Sequence, residues 1–158
     1  MKIKNRLWKD GKKGCLTFSY DDGVTQDIRL IELLNKYGLK STFNLNSEFL
    51  GKSGMLQREG QRIAHYKVSP NDVKKVYDGH EVAVHTLTHP NLTTLDDDAV
   101  IYQVEEDRKQ LSRLVGYEVT AMAYPCGGVN NDDRVAEIIK NNTGVKFSRT
   151  ITSSHSFD

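Results

Sequence analysis

Residues 15–38 read CLTFSYDDGVTQDIRLIELLNKYG, and this stretch decides the fold. Cys15 to Tyr20 is rich in β-branched and aromatic residues, which predicts a strand ending in Asp21-Asp22-Gly23. From Asp27 to Tyr37, the residues Ile28, Ile31 and Leu34 recur at helical spacing, and Gly38 supplies a stop signal. A strand running through a polar turn into an amphipathic helix is the first half of a βαβ unit.

The same alternation continues to the end of the chain. Ser41–Asn46 is strand-like, and 47–68 is expected to be a long loop with a short helix. Ser69 is placed to cap a short helix, with Pro70 in its first turn and Asp72 at capping-box spacing, stopping near Gly79. Glu81–Val84 predicts a short strand leading into His85. Thr94 is the expected cap of a long helix to about residue 115, with Val100, Val104, Leu111 and Leu114 as its buried stripe and Gly116 as its stop. Val119–Tyr124 is a further strand, 131–142 a helix with Val135, Ile138 and Ile139 inward, and Val145–Thr150 a last strand. Such alternation predicts an α/β fold whose parallel strands are joined by crossover helices, open or closed into a barrel.

Composition narrows the class. The 158 residues suit one domain spanning 1–158, and 37% apolar with 27% charged residues is a globular balance. A formal charge of +1 makes no electrostatic case for nucleic acid or an anionic membrane. The basic cluster Lys2, Lys4, Arg6, Lys9, Lys12 and Lys13 reads as a solvated arm. No apolar run is long enough to span a bilayer, and no apolar segment follows the basic N-terminus as a secretory leader would require. A cytoplasmic location is the expectation, or an extracellular one if a leader has been removed. Cys15 and Cys126 lie far apart in sequence and are expected to be reduced.

Ligands of parallel βα folds gather at the carboxyl ends of the strands. Three polar clusters fall there: Asp21-Asp22-Gly23, His85-Thr-Leu-Thr-His89, and Tyr124-Pro-Cys-Gly-Gly128. Each alone has an ordinary reading as a turn or a pair of surface imidazoles. Together they offer two imidazoles and a carboxylate for one divalent ion, which suits zinc or a similar metal, with the second aspartate left for proton transfer. His65 and His80 read as surface or structural residues. Trp8 suits an aromatic wall of a binding site, and Tyr20, sharing a strand face with Phe18, suits that wall or the core equally. Thr86 and Thr88 fit either support of a metal or a plain loop. Cys126 has no His-Asp arrangement that favours a nucleophile.

These residues carry a resemblance. Thr17-Phe-Ser-Tyr-Asp-Asp-Gly23 resembles the T-F-D-D-G motif of the polysaccharide deacetylases (carbohydrate esterase family 4). His85-Thr-Leu-Thr-His89 resembles their H-[ST]-x-x-H motif, and Ala123-Tyr-Pro-Cys-Gly127 occupies the place of R-x-P-[YF]-G. The resemblance covers roughly residues 13–150. It implies a distorted (β/α) barrel with parallel strands, incomplete here because the chain stops at Asp158 just after a strand. It further implies metal-dependent removal of N- or O-acetyl groups from a carbohydrate by water activated on the metal. Asp21 is then the general base, and Asp22, His85 and His89 bind the metal. The backbone N–H of Cys126 steadies the oxyanion, and Tyr20, Tyr124 and Pro125 line the substrate. Zn2+ is the implied cofactor, with Co2+, Ni2+ or Mn2+ as substitutes, and an acetylated glycan is the implied partner.

Three departures stand out. The family arginine that orients the base falls on Ala123, and the aromatic after the proline is Cys126. The late motifs that supply a histidine acid are not recognisable, and His155, within Ser153-Ser-His-Ser156, reads as a loop histidine. Two other readings therefore stay open: a hydrolase of cyclic amides or ureides on the same scaffold, and a metal-retaining carbohydrate-binding module without turnover.

Overall fold

The computed structural model describes residues 11, 12 and 14–153; Trp8, His155 and most of the basic N-terminal cluster lie outside that range. Among the described residues, seven strands and four α-helices follow one another: β1 (Ser19–Asp21), α1 (Gln26–Lys36), β2 (Thr42–Leu45), β3 (Met55–Arg58), β4 (Gln61–Ala64), α2 (Val73–Val76), β5 (Glu81–Val84), α3 (Asp97–Val115), β6 (Ala121–Ala123), α4 (Asp133–Asn142) and β7 (Phe147–Arg149). Five strands form one sheet in the order β1-β2-β5-β6-β7, all parallel. With the β3-β4 pair set aside, spatial order equals chain order, so every crossover steps the same way. That is the winding of a barrel rather than of a doubly wound sheet, and the five strands make a curled half-barrel.

Burial follows from the layering. The three central strands are buried on both faces, whereas the edge strands β1 and β7 are largely exposed. The core joins Phe43, Leu45, Val82, Val84 and Met122 of the sheet to Ile31 and Leu34 of α1, Val100, Val104, Leu111 and Val115 of α3, and Val135, Ile138 and Ile139 of α4. No described helix is long and apolar enough to cross a membrane.

Several local expectations are corrected. The stretch expected as a loop holds an antiparallel hairpin, Met55–Arg58 on Gln61–Ala64. Its turn, Glu59-Gly60, has φ of 48° and 77°, the double positive φ that a tight hairpin turn demands. The hairpin stands clear of the core with nearly every residue exposed, so no apolar alternation announces it. The cap of α3 is Asp96, whose carboxylate accepts from Ala99 N–H, while the hydroxyl of Thr94 turns back to the carbonyl of Asn91. Ser69 makes no side-chain cap, and the short helix is a 3-10 turn at Pro70–Asp72 followed by α2. Gly116 ends α3 in the left-handed conformation (φ 85°) as expected.

Helix α1 also sits rotated from expectation. Ile28 is exposed and Asp27 is buried, so the inward stripe is Asp27, Ile31, Leu34. Asp27 accepts from the Tyr77 hydroxyl at 2.8 Å. Burial pushes its carboxyl pKa up to about 6, the Tyr77 bond opposing. The folded value lies above that of an unfolded aspartate, about 3.9. Stability linked to the protonated group is therefore complete below about pH 4 and is lost as pH rises through about 6. An Asp27→Asn variant keeps an acceptor for Tyr77 and never carries the charge. Thermal melts are expected to show it about 2–3 kcal/mol more stable than the parent at pH 8, the gain shrinking toward pH 4.5. A pH-independent difference would contradict the assignment.

Candidate metal centre

All the polar clusters read from the sequence meet at the carboxyl rim of the sheet. Asp21 ends β1 and Asp22 follows it; β5 delivers His85, and the turn after it delivers His89. One ligand atom from each of Asp22, His85 and His89 lies within 4.8 Å of the others. The Nε2 of His89 is 3.7 Å from Asp22 Oδ1, and the two imidazoles meet edge to face at 4.9 Å between centroids.

The backbone bends sharply to achieve this. Among the described residues, five that are not glycine have positive φ, and four of them, Asp22, Thr86, His89 and Cys126, sit on this rim. Side chains disfavour that conformation, so it persists only where surrounding contacts over-determine it. Those contacts are visible. Asn46 at the end of β2 donates to the carbonyls of His85 (2.6 Å) and Thr86 (2.9 Å). The buried Asn130 donates to the carbonyls of Pro125 (3.1 Å) and Cys126 (2.9 Å). Gly23 has φ 61°, and a Cβ there would meet Leu45 at 2.8 Å, so the turn after the aspartates requires glycine.

Asp107 anchors the assembly from behind. It is fully buried and accepts from Ser47 N–H (2.7 Å), the Ser47 hydroxyl and His85 N–H (3.1 Å), while burial pushes its pKa up to about 7. The sequence held a signal for it: Val100, Val104, Asp107 and Leu111 share one helical stripe, and a charge on an apolar stripe asks for buried partners.

The donor set fits a divalent ion. The Nδ1 of His85 lies 2.8 Å from the Ala123 carbonyl, which can only accept, so Nδ1 carries the hydrogen and Nε2 keeps its lone pair. Burial lowers the His85 pKa, holding the ring neutral and ready to ligate. Two imidazoles and a carboxylate match zinc and its neighbours. The Cys126 sulfur sits 3.7 Å from His89 Nδ1, and burial pushes its thiol pKa up, which favours neither a thiolate ligand nor a nucleophile.

Two further residues arrive on the segment after the hairpin. The Nε2 of His65, read from the sequence as surface or structural, lies 3.4 Å from Asp22 Oδ2. Lys67 donates to the Asp22 carbonyl at 2.7 Å and stands 3.7 Å from its Oδ1. His80 is structural: its Nδ1 accepts from Ser41 N–H and its Nε2 pairs with Asn35. Thr88 is held by Gln103 on α3, whereas the hydroxyl of Thr86 is buried without a partner among the described residues.

Asp21 stands beside the ligands in different company. Its Oδ1 accepts from Asn44 Nδ2 at 2.8 Å and from Arg149 Nη2 at 2.5 Å. Its Oδ2 accepts from none of the described residues. The N–H of Cys126 likewise has no acceptor among them. Of the residues expected against substrate, Tyr20 stacks on Phe43 at the core's edge (centroids 5.9 Å), and Tyr124 and Pro125 are buried.

Known proteins share this fold. The Polysaccharide deacetylase family profile matches residues 9–147. The peptidoglycan-N-acetylglucosamine deacetylase PgdA of Listeria monocytogenes is 30% identical over 134 residues, covering 83% of this chain and 24% of that protein. The chain thus spans about a quarter of that relative's length. The crystal structure of BC0361, a polysaccharide deacetylase from Bacillus cereus, superposes with a TM-score of 0.67 at 21% identity, covering 89% of this chain and 42% of that one. BA3943 of Bacillus anthracis, described as a carbohydrate esterase family 4 pseudoenzyme, superposes with a TM-score of 0.61 at 22% identity, covering 84% and 42%. With the family profile spanning nearly the whole described chain, and the fold shared with its solved members, the chain belongs to the polysaccharide deacetylase family.

Proposed function

We propose that this chain is a metal-dependent deacetylase of N-acetylated glycan, with Asp22, His85 and His89 as the ligands and Asp21 as the base. The observation that carries the reading is the pairing of a compact ligand set with an adjacent, separately held carboxylate. A divalent ion in such a site supplies a lowered water pKa, toward ~7 for zinc, and polarises an acyl carbonyl. Asp21 has Oδ1 occupied and Oδ2 open, so one defined oxygen is left to receive the proton of the attacking water. The Cys126 N–H, without an acceptor among the described residues and on a turn pinned by Asn130, is a preorganised donor for the developing oxyanion. The peptidoglycan substrate named for the Listeria relative makes N-acetylglucosamine polymers the first choice.

The test is acetate release from peptidoglycan fragments, acetylated chitooligosaccharides and acetylxylan, with zinc or cobalt added to the purified protein. Metal-dependent release from the first two supports the reading. No release despite stoichiometric metal and measurable glycan binding would favour the binding module without turnover, which the pseudoenzyme among the structural neighbours makes a concrete second reading.

A further inference from the structure

The third motif of the family carries its arginine at the position occupied here by Ala123, yet Asp21 is not left without a guanidinium. Ala123 on β6 and Arg149 on β7 are direct partners in the parallel register. The two residues therefore stand at the same level of the sheet, one strand apart. Arg149 belongs to none of the matched motifs, and its Nη2 reaches Asp21 Oδ1.

We infer that Arg149 is the positioning residue of the Asp21 base, supplied from β7 in place of an arginine on β6. The inference rests on the deacetylase reading above. β1 and β7 are the opposite edges of the sheet, four strand spacings apart. In a flat sheet that separation is roughly 19 Å at ~4.8 Å per spacing. Only the curl of the half-barrel brings the two edges within side-chain reach, so the bond spans the open mouth of the rim. Asn44 approaches the same Oδ1 from β2. Two donors on one oxygen remove the freedom of the carboxylate to turn and leave Oδ2 as the acceptor. The planar guanidinium suits this task better than an ammonium, because its donors sit in a rigid fork.

The experiment compares the metal-loaded wild type with Arg149→Ala and Arg149→Lys on an N-acetylated glycan fragment. Arg149→Ala is expected to lower kcat about 100-fold, the cost of a misplaced reacting group, with KM and metal stoichiometry unchanged. Guanidinium ion at millimolar concentration should restore at least a tenth of the lost rate, and Arg149→Lys should fall between the two. Full kcat in Arg149→Ala overturns the inference, as does a loss that guanidinium leaves unrepaired. Wild-type protein that releases no acetate removes the deacetylase reading instead. In that case crystal structures of the wild type and Arg149→Ala decide: an Asp21 carboxylate rotated off Asn44 in the variant supports the positioning role, and an unmoved one overturns it.

Discussion

A His85→Ala variant is expected to take up no zinc under conditions where the wild type binds close to one ion per chain. Of the three candidate ligands His85 is the most constrained. It is 2% exposed, its Nδ1 is tied to the Ala123 carbonyl, and its backbone N–H is shared between the Leu45 carbonyl at 2.9 Å and Asp107 at 3.1 Å. Its ring therefore offers Nε2 in a single orientation. Loss of an outer hydrogen-bonding partner of a ligand typically costs 10–100-fold in affinity; loss of the ligand itself is expected to exceed about 100-fold. His89→Ala should behave alike, although His89 is half-buried and placed by a left-handed turn. Metal analysis after gel filtration and calorimetric titration measure this directly. Thermal stabilisation by zinc in the wild type, absent in the variant, gives a second readout. Stoichiometric metal retained by both variants would sink the proposed ligand set. His65→Ala is a useful contrast: its contact is to the outer oxygen of Asp22, so a smaller loss is expected.

An Asp21→Asn variant is expected to keep its metal and lose turnover by about 10²- to 10⁴-fold, the usual contribution of a general base. The substitution is nearly isosteric. The amide oxygen can still accept from Asn44 and Arg149, so the rim should keep its shape. What disappears is the basic Oδ2. Metal binding should be unaffected because Asp21 is not one of the three ligands grouped with the ion. Parallel assays of acetate release and metal content separate the two effects. Full activity in this variant would show that another group takes the proton.

Much of this arrangement was legible locally. The βα alternation is written as apolar periodicity, switching between two and about 3.6 residues, and the carboxyl-end rule then brings Asp21, Asp22, His85 and His89 to one rim. Local pattern misleads where a residue's role depends on what packs against it. Ile28 and Asp27 exchange places because Tyr77, fifty positions away, offers the aspartate a buried hydrogen bond. The hairpin at Met55–Ala64 covers no core and so carries no alternating pattern in the sequence. Asn44, Asn46 and Asn130 look like ordinary polar residues until the carbonyls and the carboxylate they hold are known.

The sequence by itself determined the βα alternation of the main sheet, which follows from short-range periodicity, and its resemblance to the deacetylase motifs singled out Asp22, His85 and His89 as candidate ligands. Only the tertiary structure decided what holds the base. Asp21 and Arg149 are 128 residues apart, on opposite edges of the sheet. Their contact depends on the accumulated curl of five strands, a property of how side chains pack between sheet and helices that no local pattern of residues records.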